Sequence, residues 1–207
     1  MKSLRIFSGN INLRFIEEAV QALDAGNLII YPTDTLYAIG CDATNQRAIE
    51  RVCRIKGINP QKQHLSIMCA DMSQAARFAR IDNNAFDTMR RNLPGPFTFI
   101  LPPATTLPKV FKGRKEVGVR VPDDDVARRL AQELGRPLLT TSIIAESAES
   151  TDSDDYHARM VEMADSYKAD VSLLIDSGPR NCVPSAIVDL MDSSDPVILR
   201  DGLIPLQ

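Results

Sequence analysis

The chain alternates short apolar runs with segments whose apolar residues recur at helical spacing. In 13–25, Phe15, Ile16, Ala19, Val20 and Leu23 form one helical stripe. Asn12 can cap this helix and Gly26 can end it. Leu28-Ile29-Ile30-Tyr31 reads as a buried strand that Pro32 stops. Segment 46–56 is again helical, with Ala48, Ile49, Val52, Cys53 and Ile55 inward, and 65–69 reads as a strand. Helices are predicted over 72–80 and 83–92, the second broken by Pro94-Gly95-Pro96. Strands are predicted at 97–101 and 117–121, then a helix over 124–134, a strand over 138–142 and a helix over 153–168. Three strands close the pattern, at 171–175, 186–190 and 197–200. Alternation followed by a cluster of strands predicts an α/β or mixed α+β sheet with helices packed on it. No repeat and no linker interrupts it, so residues 1–207 read as one domain. Segment 143–153, rich in Ser, Ala, Glu and Asp, is expected to be a mobile loop inside that domain.

Composition narrows the class. The chain has 207 residues, 44% hydrophobic and 25% charged, which suits a globular core without disulfides or metal. No apolar run approaches the roughly 20 residues that span a bilayer, so no membrane partner is expected. Four cysteines without a CxxC pair, and two histidines, do not make a structural zinc site. The first residues turn polar too soon for a signal peptide, so a cytoplasmic location with reduced thiols is expected. The net charge of −3 disfavours a protein that coats nucleic acid, but the charge is uneven. Basic residues gather at 47–62 and 109–120 and acids at 146–170. If the two basic stretches share a face, that face binds an anion; a solvated mixture of charges is the alternative.

Six short segments carry candidate chemistry. Thr33-Asp34-Thr35 follows a buried strand, where ligands of α/β sheets tend to sit; local turn capping is the alternative. Arg54 and Lys56 end a helix, where cations complement the dipole, and Lys56 could instead neutralise a phosphate. Arg120 lies in Val117-Gly118-Val119-Arg120-Val121, and a guanidinium among apolar strand residues needs an anionic partner. That partner is either a structural carboxylate or a ligand held by a bidentate fork. Thr140-Thr141-Ser142 ends a strand in hydroxyls, Ser185 opens one, and Arg200 closes another. No His is placed for a Ser-His-Asp arrangement, and neither GxxxxGK[ST] nor GxGxxG is present.

The order of these segments is more specific than any one of them. YPTDTLYAIGCDA at 31–43, RIKGINP at 54–60, PGPFTFIL at 94–101, VGVRVPD at 117–123, TTSI at 140–143, IDSG at 175–178, SAIVDL at 185–190 and ILRDG at 198–202 resemble the YrdC/YciO family, the threonylcarbamoyl-AMP synthases and their relatives. The resemblance implies a YrdC-like α/β fold, a twisted mixed sheet with flanking helices around a concave basic cavity. It implies a reaction of L-threonine, bicarbonate and ATP to threonylcarbamoyl-adenylate and pyrophosphate, which feeds the threonylcarbamoyladenosine modification of tRNA. Mg²⁺ would be held mostly by phosphates and water. Substrate contacts are implied at Thr33, Thr35, Cys69, Arg120, Ser142 and Ser185, and nucleotide contacts at Lys56, Ser142 and Arg200, with Lys56 and Arg120 as the catalytic pair. The family is also described as binding double-stranded RNA, so binding of RNA or nucleotide without turnover is the alternative function.

The chain departs from the synthase pattern at three places. Lys-x-Arg followed by Pro becomes Lys56-Gly57-Ile58, Ser-x-Asn becomes Ser142-Ile143-Ile144, and a His at the end of the following strand becomes Cys69. These departures place it nearer the YciO branch than YrdC.

Overall fold

The structure is a computed structural model and describes residues 1–7, 9–59, 65–104, 107, 111, 114–143 and 152–207. Its strands are β1 (Lys2–Arg5), β2 (Leu28–Tyr31), β3 (Ala38–Asp42), β4 (Ser66–Met68), β5 (Phe97–Leu101), β6 (Val117–Arg120), β7 (Leu138–Ser142), β8 (Val171–Asp176), β9 (Ala186–Asp189) and β10 (Val197–Arg200). The helices are α1 (Leu13–Asp24), α2 (Gln46–Ile55), α3 (Met72–Ala76), α4 (Asn83–Asn92), α5 (Asp125–Leu134) and α6 (Ser153–Ser166). All strands join one mixed sheet in the order β1-β8-β2-β3-β7-β4-β6-β5-β9-β10. None of the described helices is long and apolar enough to cross a membrane.

Local chemistry explains the helix ends. Asn12, Asn45, Asp82, Asp124 and Asp152 each cap a helix by accepting a backbone N–H from its first turn. The interior follows from strand alternation. Along β2, Leu28 and Ile30 join one core cluster while Ile29 and Tyr31 join the other. The second cluster packs α1 and α5 through Ile16, Leu23, Val126 and Leu130. The first gathers Ile49 and Val52 of α2, Met89 of α4 and Met160 of α6.

Two strands differ from the sequence expectation. β1 has a single buried apolar residue, Leu4, and gains its strand form by parallel pairing with β8. β3 carries a glycine, yet all five of its residues are buried between β2 and β7. Gly40 is needed there: a Cβ would lie 2.6 Å from Tyr31 Cε1 and 2.9 Å from the Leu139 carbonyl oxygen. The Tyr31 ring therefore crosses β3 at its one position without a side chain. Several predicted elements are shorter than expected, α3 most of all, which stops at Ala76.

Gly40→Ala should destabilise the protein by about 1–3 kcal/mol, the usual cost of overpacking. A lowered urea midpoint with an unchanged slope is the expected result.

Candidate active site

Where β4, β5, β6, β7 and β9 lie side by side, they floor a cavity of about 350 Å³. That volume falls within the range of small-ligand sites. Three cations reach it, Lys56 from the end of α2, Arg120 from β6 and Arg200 from β10. Hydroxyls line it at Ser66, Thr98, Thr140, Thr141, Ser142 and Ser185. An apolar wall is made by Val52, Ile58, Leu65, Leu139 and Ile187.

Arg120 is nearly sealed from solvent. Its Nη2 donates to Asp34 Oδ1 at 3.0 Å and to Thr35 Oγ1 at 2.9 Å. Among the described residues its Nε has no hydrogen-bond partner. Asp34 is fixed in turn: the Asp123 N–H donates to its Oδ2 at 3.0 Å, and Asn181 donates to its backbone oxygen. Burial raises the Asp34 pKa, opposed by the Arg120 charge and the Asp123 amide, and the balance stays above the ordinary carboxylate value. The ion pair is thus the structural partner expected of a buried guanidinium, on a residue that also faces the cavity.

Arg200 lies on a strand whose residues are all exposed, and the register shifts between Ile198 and Arg200. Its Nε and Nη2 both donate to the Ser185 carbonyl, at 3.0 and 2.8 Å. Partial burial, and then the like charge of Arg120, lower its pKa from the ordinary guanidinium value. Two guanidinium groups close enough to repel, of which only Arg120 is paired with a carboxylate among the described residues, leave the site short of negative charge.

Lys56 is placed by a helix stop. Gly57 takes φ 62°, its N–H donates to the Arg54 carbonyl, and the Ile58 N–H donates to the Cys53 carbonyl at 2.8 Å. This is the paired hydrogen-bond pattern of a Schellman ending, which wants an apolar residue where Ile58 stands. Lys56 Nζ lies 5.8 Å from the centre of the Tyr167 ring.

Five of the residues expected at the site therefore line one cavity: Lys56, Arg120, Ser142, Ser185 and Arg200. Three do not. Thr35 is fully buried behind Arg120, and Thr33 is buried beside Thr35, with its Oγ1 donating to the Leu36 carbonyl. Cys69 packs in the apolar core, where burial pushes its thiol pKa up, and only its backbone N–H meets the site strand, at the Arg120 carbonyl. Ile144 and most of segment 143–153 lie outside the described residues, as do Lys62, Lys109 and Lys112 of the basic stretches. Ser66 and Thr98 also line the cavity, although the sequence marks them only as strand residues. Ser66 pairs with both Gly118 and Thr140 across the sheet, a neighbourhood that only strand order reveals.

A family model that covers Sua5, YciO and YrdC, described as "Telomere recombination", matches residues 21–202. The chain belongs to the Sua5/YciO/YrdC family. The uncharacterized protein YciO of Escherichia coli (strain K12) is 36% identical over 200 residues, 96% of this chain and 94% of that protein. The crystal structure of E. coli YciO superposes with a TM-score of 0.88 at 34% identity, covering 100% of this chain and 98% of the other. The P. abyssi Sua5 structure complexed with L-threonine superposes at 0.84 and 27% identity, over 100% of this chain and 59% of that one. A threonylcarbamoyl-AMP synthase of Pyrococcus abyssi is 31% identical over 185 residues, 88% of this chain and 52% of that protein. The family thus includes both YciO and threonylcarbamoyl-AMP synthases, and the large mixed sheet with flanking helices is common to this chain, YciO and Sua5.

Asp34→Ala would leave the Arg120 charge buried without its counter-charge. Removing one partner of such a pair costs about 3–5 kcal/mol. Equilibrium denaturation should register a loss of that order, and a loss below about 1 kcal/mol would mean that water reaches Arg120 freely.

Proposed function

We propose that this cavity binds the phosphates of ATP together with a carboxylate-bearing amino acid, L-threonine, and carries out threonylcarbamoyl-AMP synthase-like chemistry. The observation that carries the reading is the convergence of Lys56, Arg120 and Arg200 on one cavity with Asp34 as the counter-charge to Arg120. In the reaction the threonine amine attacks the carbon of bicarbonate, water leaves, and a carbamate forms. A carbamate oxygen then attacks the α-phosphorus, the bond to the β-phosphate breaks, and pyrophosphate departs. No protein nucleophile is required. The chain's work is to align the groups and offset charge on the phosphates. Arg120 holds the amino-acid carboxylate through the edge that Asp34 does not occupy, while Lys56 and Arg200 face the phosphates.

Mg²⁺ would arrive on the triphosphate, held by its oxygens and by water. Among the described residues no group of three or more His, Cys, Asp or Glu is arranged for a metal, and Asp34 is held by Arg120.

A second reading, nucleotide binding without turnover, is favoured by Ile58, which puts an apolar side chain on the wall where the synthase pattern expects an Arg. Binding of duplex RNA has less support. Arg51 is hydrogen-bonded to the Gly26 and Asp170 carbonyls, and Arg54 lies 3.9 Å from Asp170, so these cations of α2 are engaged within the fold.

The test is pyrophosphate release from ATP with L-threonine and bicarbonate present. Release should require both co-substrates and fall at least a hundredfold in Arg120→Ala, as expected when a buried charge contact is lost. Heat of ATP binding without pyrophosphate release would select the second reading. Ile58→Arg should raise the rate of release about tenfold, roughly the worth of one charge-assisted contact. An unchanged rate would show that the apolar wall does not limit turnover.

A further inference from the structure

The last rung of the β3–β7 ladder contains a side chain. Ala38 pairs with Ser142 and Ile39 with Thr141, so the register places Tyr37 opposite Ile143. The Ile143 N–H donates to the Tyr37 carbonyl at 2.8 Å. An antiparallel pair of this kind normally exchanges a second bond, from the Tyr37 N–H to the Ile143 carbonyl. Here the Tyr156 hydroxyl of α6 stands between the two groups. It accepts from the Tyr37 N–H at 2.8 Å and donates to the Ile143 carbonyl at 3.2 Å. Burial pushes the phenol pKa up to about 12, so the proton it donates stays in place at neutral pH.

The phenol separates two parts of the site. Ser142, next to Ile143, lines the cavity, and Thr35, close before Tyr37, accepts from Arg120. Tyr156 itself is not among the lining residues. The turn side of the rung is anchored: the Tyr37 hydroxyl donates to the Gly178 carbonyl at 2.8 Å and accepts from the Ser177 N–H at 2.9 Å. α6 is anchored beside the phenol, where His157 Nε2 lies 2.8 Å from Asp176 Oδ1 at the end of β8. The end of β7 is held less firmly. Its register with β4 stops at Ser66↔Thr140, so Ser142 is placed by β3 and by the rung beyond it.

We propose that Tyr156 is a positioning residue for the cavity: its phenol, set as a rung between β3 and β7, fixes the distance of Ser142 from Arg120 and so tunes the fit of the amino acid held there. This role rests on the reading of the cavity as a site for ATP and L-threonine, and extends it to a residue that lines no part of the cavity.

The test is Tyr156→Phe, which keeps the ring and removes the bridge. The Tyr37 N–H and the Ile143 carbonyl, both on fully buried residues, then lack a partner among the described residues, and closing the gap satisfies both. An NMR scalar coupling across a direct Tyr37 N–H to Ile143 carbonyl bond, absent in the wild type, should appear in the variant. In calorimetric titrations of the full chain, L-threonine should bind the variant about tenfold more weakly, since small misplacements act on that scale. Mg-ATP, whose phosphates face Lys56 and Arg200, should lose less affinity. Ile16→Val, in the α1 core, lowers stability without touching the rung and should bind both ligands like the wild type. The wild type gives a second reading, because coupling is reciprocal: saturating L-threonine should slow hydrogen exchange of the Tyr37 amide more than that of the Ile16 amide. Equal slowing at the two amides, equal loss of both ligands in Tyr156→Phe, or weaker threonine binding without the new coupling overturns the positioning role. So does wild-type threonine affinity in Tyr156→Phe while Arg120→Ala loses it, and in that case the cavity reading stands. A wild-type protein that binds neither ligand removes both.

Discussion

A guanidinium buried in the middle of a ten-stranded sheet sets the terms for the rest of this structure. Arg120 cannot stay charged in the interior without an anion, and the anion comes from the turn at 32–37, far away in sequence. That requirement fixes more than one side chain. Asp34 must be held to its task by the Asp123 amide, which ties the end of β6 to the turn after β2. Thr35 and Thr33 then orient their hydroxyls in the only sequence that leaves no proton unplaced. A single ion pair thereby joins the stability of the fold to the geometry of the cavity.

The same pair leaves the cavity electrically incomplete. Asp34 compensates Arg120 and is used up in doing so, while Arg200 donates to an uncharged carbonyl. An anion held between Arg120 and Arg200 would relieve their repulsion, and this is a stronger argument for a ligand than the count of basic residues along the chain. Net charge carried little information here, because the relevant charge is that of a few groups converging from α2, β6 and β10.

Much of this was legible in the sequence, and the limits have physical causes. Helices follow from periodicity because each buries one face, and most strands from short apolar runs, because strands such as β2 and β5 are buried on both faces. β1 and β3 escaped because their strand form comes from neighbours: β1 has one core residue, and β3 is held by pairing on both sides despite Gly40. Arg120 was recognisable because a charge in an apolar strand is anomalous wherever it occurs. Thr35 drew attention for its place in a motif, but the motif does not say that it stands behind Arg120 and not on the cavity wall. Ser66 and Thr98 are ordinary strand residues in the sequence, and Thr140 is one of three hydroxyls in a row. Their significance depends on the order β7-β4-β6-β5, and local patterns do not encode which strands become neighbours.

The apolar wall beside Lys56 is best understood as a compromise between ending a helix and building a site. The residue that follows Gly57 donates its N–H to Cys53 and packs on the core, so an apolar side chain there completes the helix stop. A cation in that place would add charge to the cavity and give up that packing. With Ile58 that packing is kept, and both Ile58 and Lys56 stay half-buried at the cavity edge. Ile in place of the expected Arg therefore gives up a second charge beside Lys56 for the packing that completes the helix stop.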